Sequence, residues 1–181
     1  DLTEVNFDKP TLELFFKERV LYYLTNKNNE KNIVKAVVEQ SNLNLLPILP
    51  RLIAEITTFT SSVDGATVLV VYKRVSNFLG SNKEFLSFEK QFSEEHASKE
   101  DKMLKEQLTL TKEKVEKNLE LKDFKSALIA LVSLVDPLNS FLDNVQVNCE
   151  NNALRSLRYS LLGQIRQTMD KIIVFSELDK K

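Results

Sequence analysis

The sequence predicts an all-α fold, a helical bundle of six or seven helices, on three observations. Turn-making residues are scarce, with three glycines and four prolines in 181 residues, where average usage of the two together is about 12% of positions. A many-stranded sandwich or barrel needs a turn about every ten residues and cannot be built from that supply. Apolar residues recur at three- and four-residue steps through most of the chain. The one segment that also alternates like a strand, Ala66 to Leu79, runs for fourteen residues, long for a strand and ordinary for a helix.

The elements follow in order. Pro10 suits the first turn of a helix, and Leu12, Phe15, Phe16, Val20, Tyr23 and Leu24 then recur on one side until Asn26 to Asn29 stops it. Ile33, Val34, Val37 and Val38 mark a short second helix. A turn from Asn42 to Pro50 leads into a third carrying Leu52, Ile53, Ile56 and Phe59. Ala66 to Leu79 reads as the fourth, with Asp64 as its expected N-cap and Gly80 as its stop. Ser81 to Ser98 holds Phe85, Phe88 and Phe92 between charges and reads as a connector. The stripe Leu104, Leu108, Val115 and Leu119 lies in a segment, 83–125, with ten lysines and eleven acids. Balanced charge at that density describes a solvated helix face. Asp123 is the expected cap of a helix through Phe124, Leu128 and Leu131, which Pro137 ends or disturbs. Leu154, Leu157, Leu161, Ile165, Ile172 and Phe175 form the last apolar stripe, capped by Asn151 or Asn152. A single domain over 1–181 is expected, with helical halves at 10–80 and 99–178 joined by an 81–98 connector.

Composition excludes several classes of chemistry. Gly65, Gly80 and Gly163 lie at least fifteen positions apart, whereas phosphate-loop and dinucleotide fingerprints need glycines within about six residues. One histidine, His96, and one cysteine, Cys149, exclude a disulfide and a His/Cys zinc site. No catalytic pair stands out among the carboxylates, so no catalytic, cofactor-binding or metal-binding residue is expected. The net charge of −1 advertises no nucleic acid, so any such role rests on local arrangement. No apolar run approaches about 18 residues, so no membrane span is expected. A lone thiol suits a reducing, cytoplasmic setting. The chain opens at Asp1 within an already patterned region, as a piece of a longer polypeptide would.

Two basic clusters are the candidate binding residues. Lys73, Arg74 and Asn77 form one, with 73 and 77 a helical turn apart. On the last helix, at about 100° per residue, Arg155 and Arg166 fall within about 20° of each other and Arg158 about 60° to one side, beside Tyr159. From Asn151 to Lys181 there are six basic and three acidic residues. Cations, an aromatic and amides along one edge can contact phosphates and stack on unpaired RNA bases. On that reading, replacing Arg155 and Arg158 is expected to weaken RNA binding and leave the fold intact. The alternative is a helical interaction module that holds protein partners, its cations neutralised by acids elsewhere in the bundle.

Particular runs carry a family resemblance. Tyr72-Lys73-Arg74-Val75-Ser76-Asn77-Phe78-Leu79 is similar to the "NKRVSNIL" helix of the β subunit of bacterial tetrameric glycyl-tRNA synthetase. Ala130-Leu131 through Asp136, then Phe141 and Asp143-Asn144-Val145, resembles that family's "AL..L...ID.FFD.VMV" segment. Asn152-Ala153-Leu154-Arg155 resembles its "LR.NRL.LL" helix, and Val174 to Leu178 its "VADISLL" ending. Departures include Asn139, where an alanine is common, and Asp136-Pro137 within the "VID". The resemblance implies the C-terminal helical anticodon-binding domain of the type named for an Asp-Ala-Leu-Arg motif, with Lys73, Arg74, Asn77, Arg155, Arg158, Tyr159 and Arg166 as candidate tRNA-binding residues. It also implies tRNA(Gly) and the α subunit of an α2β2 assembly as partners. ATP-dependent glycine activation is then housed in the α subunit, and this stretch is non-catalytic with no cofactor of its own.

Overall fold

Helices supply all the regular structure of the computed structural model, which describes residues 8–27, 29–41, 43–80 and 97–178. They are α1 (Lys9–Thr25), α2 (Lys31–Gln40), a 3-10 segment (Leu43–Ile48), α3 (Leu49–Thr60), α4 (Val63–Leu79), α5 (Lys99–Glu120), α6 (Phe124–Val132), α7 (Val135–Asn144), α8 (Asn152–Asp170) and α9 (Phe175–Leu178). The fold is all-α, and among the described residues eight helices reach nine residues or more. His96 and most of the expected 81–98 connector lie outside the described residues.

Two local effects raise the count above six or seven. Pro137 stands within the first turn of α7, where a missing N–H loses no intrahelical bond. The chain closes α6 with the Leu134 N–H on the Leu131 carbonyl and starts again. The final stripe also divides. Lys171 closes α8, and the Val174 N–H donates to the Ala36 carbonyl on α2 at 3.1 Å before α9 begins.

The chain forms two compact units, one of residues up to Thr57 together with those from Ile173, the other Thr58–Ile172. In the first, α2 buries Ile33, Val34, Ala36, Val37 and Val38 and packs on α1 and α9. Lys35 pairs with the buried Glu177 at 2.8 Å, and the Asn32 amide donates to the Leu178 carbonyl at 3.3 Å. Of the apolar residues of α1 only Leu24 is buried.

The second unit packs α5 on α6, α7 and α8, and α4 on α6, α7 and α8. Val68, Val71, Val75 and Leu79 of α4 share a core with Leu104, Leu108, Leu128, Leu131, Leu138, Phe141, Leu162 and Ile165, each at most 3% exposed. Fully burying a side chain of this kind contributes about 1.5–3 kcal/mol, which is why the valine-rich α4 is a helix in spite of its β propensity. The stretch Phe124–Asn144 is apolar and long enough to cross a membrane by length and composition. It is two helices, however, and puts Leu128, Leu131, Leu138 and Phe141 into this core.

Capping settles where the helices that carry the candidate residues begin. Asp123 caps α6 through the Ser126 N–H, and Asn151 caps α8 by accepting from Ala153 and Leu154. For α4 the cap is Ser62 rather than Asp64. The Ser62 hydroxyl accepts from the Gly65 N–H at 3.0 Å and itself donates to the Phe59 carbonyl at 2.6 Å. Asp64 stands in the first turn instead, where its charge favours the helix dipole.

Candidate nucleic-acid interface

The Lys-Arg-Val-Ser-Asn run of α4 points its side chains three ways. Lys73 and Asn77 are exposed on one face, as their one-turn spacing predicts. Val75 is in the core. Arg74 turns sideways onto α7, where its guanidinium donates to Asn139 Oδ1 at 2.6 Å and pairs with Asp143 at 2.5 Å. Asn139 thus serves as an acceptor that holds this arginine.

Just before the run, the Tyr72 hydroxyl donates to Asp170 Oδ1 on α8 at 3.1 Å. Arg166 shares that carboxylate, with Nε 3.5 Å from Oδ2. Burial pushes the Tyr72 phenol above its ordinary value, and the Asp170 charge adds to the shift while Arg166 opposes it. The protonated phenol is therefore favoured in the folded state. Its contribution is complete below the unfolded value of 10.0 and is lost as pH rises through the folded one. Tyr72→Phe is expected to cost about 1 kcal/mol at neutral pH and to remove that alkaline loss. Urea unfolding of both proteins at neutral and alkaline pH checks it, and parallel pH dependences would refute it.

The other end of α8 places two of the expected residues inside the protein. Arg158 is 8% exposed and Asp101 fully buried. Arg158 Nε and Nη2 reach Asp101 Oδ1 and Oδ2 at 3.1 and 3.0 Å, and Nη1 donates to the Gln146 carbonyl at 2.9 Å. The Asp101 carboxylate holds the Arg158 guanidinium above its ordinary pKa. Asp101 also accepts from the Ser98 N–H at 2.8 Å in a capping box that starts α5. Arg158 therefore ties α8 to α5 inside the protein, with its guanidinium taken up by Asp101 and the Gln146 carbonyl. Tyr159 is buried as well, so it presents no ring for stacking.

Arg155 is half-buried. Its Nη2 donates to Asn152 Oδ1 at 2.5 Å and its Nη1 to the Cys149 carbonyl at 3.3 Å. Together Arg155 and Arg158 clasp the turn between α7 and α8 from the same helix. The Cys149 thiol, half-buried, faces the Asn151 carbonyl at 3.5 Å.

The structure gathers Tyr72, Arg166 and Asp170 where α4 meets the second half of α8. Arg155 lies eleven residues from Arg166, about 16 Å along the helix axis. Shared angle on α8 therefore does not make these two arginines neighbours. Sequence reasoning missed Asp101, Asn139, Asp143 and Asp170 as the groups that hold the arginines. The Ser98–Asp101 spacing signals a cap, but nothing local signals a partner fifty-seven residues away.

The helices from α4 to α8 form the part of the chain that matches a known family. The profile of the DALR anticodon binding domain covers residues 68–175, more than half of the chain, and the chain belongs to that family. Its curated relatives include the glycine–tRNA ligase beta subunits of Rickettsia africae, 33% identical over 165 residues, Rickettsia typhi, 32% over 169, and Paracoccus denitrificans, 26% over 175. These alignments take in 91%, 91% and 95% of this chain, and 24%, 24% and 26% of the relatives. The chain thus spans about a quarter of the length of the curated relatives it matches.

Proposed function

We propose that this chain binds the anticodon arm of tRNA(Gly) as part of a glycyl-tRNA synthetase β subunit. The observation that carries the reading is the overlap of the family match, 68–175, with nearly all of the unit Thr58–Ile172. Lys73 and Asn77, exposed on α4, together with the half-buried Arg155 and Arg166 on α8, are the side chains proposed to meet the RNA. In this reading glycine activation with ATP belongs to an α subunit that assembles with the longer β chain, in the cytoplasm. This chain alone then holds no cofactor and performs no ligation. The anticodon arm lies far from the acceptor end of tRNA, so a module that grips it adds affinity and identity without touching the chemistry.

Filter binding with transcribed tRNA(Gly) and an anticodon-swapped control tests it. The swapped tRNA is expected to bind more weakly. Lys73→Ala and Arg155→Ala are expected to lower affinity, each reducing the slope of log K against log salt by roughly 0.7–0.9 if it removes a phosphate contact. Glycine-dependent pyrophosphate exchange by the chain alone is expected at background. A second reading, a protein-holding module that never meets RNA, is favoured by one observation: acids hold Arg74, Arg158 and Arg166. Equal affinity for both tRNAs and an unchanged salt slope in the variants would favour that second reading.

A further inference from the structure

Helix α1 lies outside the family match and carries a surface that the anticodon-binding reading does not use. Tyr22 is 68% exposed, Tyr23 58%, Phe15 50% and Phe16 40%. At 3.6 residues per turn these four rings and Arg19 fall within about 120° of one another around the helix, and Lys27 follows in the turn just past its end. The cations are woven into the rings. The Arg19 guanidinium stands 5.3 Å from the Phe15 ring centre and the Lys27 ammonium 5.1 Å from that of Tyr23. Phe15 and Phe16 meet edge to face at 6.0 Å.

We propose that this stripe of α1 is a second RNA-contacting surface, one that stacks unpaired nucleobases on Phe15, Tyr22 and Tyr23 and meets phosphates through Arg19 and Lys27. The proposal rests on the reading that the chain binds tRNA. Charge decides between RNA and a protein as the occupant. A protein partner closing over the rings would have to bring an acid to each of Arg19 and Lys27, because burying an unpaired cation is costly. A polynucleotide accepts both halves of the stripe, because bases stack on ring faces and phosphates pair with the cations between them. The exposed acid Glu18 falls about 60° from Phe15, on the side away from Arg19, so it leaves the cations available to a polyanion. Leu14, about 100° from Phe15, lies outside the stripe.

The chain has four tyrosines and no tryptophan, and Tyr72 and Tyr159 are buried. An RNA-dependent change in its intrinsic emission therefore reports on stacking at Tyr22 and Tyr23. Titration of the 181-residue chain with transcribed tRNA(Gly) and with a short uridine oligoribonucleotide, corrected for RNA absorbance, is expected to quench that emission. Phe15→Ala/Tyr22→Ala/Tyr23→Ala, with its helical circular dichroism intact, is expected to bind at least about tenfold more weakly. Tyr22→Phe/Tyr23→Phe keeps the rings, so it is expected to keep the affinity and lose the RNA-dependent quenching. Arg19→Gln/Lys27→Gln is expected to lower the salt slope by about 0.7 for each phosphate left without its cation. Full-strength tRNA binding by the triple alanine variant overturns this proposal alone. If that variant instead changes the sedimentation of the protein, the occupant is another protein chain. No RNA binding by the unaltered chain overturns this proposal and the anticodon-binding reading together.

Discussion

Replacing Arg158 with alanine is expected to destabilise the α4–α8 unit by about 3–5 kcal/mol, because it strands a buried carboxylate. Asp101 is completely buried, and Arg158 supplies two of its hydrogen bonds at 3.0–3.1 Å. The Ser98 N–H that remains is a single neutral donor at the start of α5. The Gln146 carbonyl loses its 2.9 Å donor at the same time, loosening the turn that leads into α8. A control separates the cost of the stranded charge from the worth of the pair. Asp101→Asn/Arg158→Met removes both charges and is expected to cost less than Arg158→Ala alone. Urea unfolding followed by circular dichroism measures all three proteins. A loss under about 0.5 kcal/mol for Arg158→Ala, the level of an exposed substitution, would mean the pair is not buried in solution. The same argument removes Arg158→Ala as a test of RNA binding, since weakened affinity would report a damaged fold.

The second large effect is expected at Gly65. A Cβ built there would lie 1.9 Å from the Phe59 carbonyl oxygen and 2.6 Å from its carbon. Both are backbone atoms at the close of α3, so no side chain can swing aside. Gly65→Ala must open the corner that Ser62 closes with its own bonds to Phe59 and Gly65, at a cost of about 3 kcal/mol, the upper part of the usual range for overpacking. Two comparisons isolate the cause. Ser62→Ala removes the cap without adding an atom and is expected to cost about 1 kcal/mol. Gly80→Ala adds its methyl in open space, with only the Asn77 carbonyl within 4 Å, and so carries only the strain of φ 49°. Thermal unfolding that ranked Gly65→Ala as the milder of the two, behind Ser62→Ala, would show that the corner is not as tight as described. Under the proposed anticodon-binding reading the corner also bears on function, since it sets where α4 starts and hence where Lys73 and Asn77 emerge.

The order of amino acids is enough to specify whatever neighbouring residues decide among themselves. Helix periodicity, scarce turn residues, the caps at Asp123 and Asn151, the stop at Gly80 and the place of Pro10 near the start of α1 are all local, and each stands where the sequence puts it. The Lys73-to-Asn77 run and the residues around Arg155 are enough to point to the family. Even among local features, competition hides one: Ser62 and Asp64 are both good caps, and only the geometry of the Phe59 corner chooses between them.

Tertiary packing alone selects which residues of a stripe meet water. Phe15, Phe16 and Tyr23 recur on α1 at helical spacing as core residues do, yet all three are exposed. Arg155 and Arg158 stand three residues apart on one helix. The first clasps a carbonyl at the protein surface, while the second lies in the interior because Asp101, from another helix, waits there for it. Periodicity tells which residues share a face. What covers that face is decided by groups far away in sequence, and a charge is stable inside only where an opposite one has been carried to meet it.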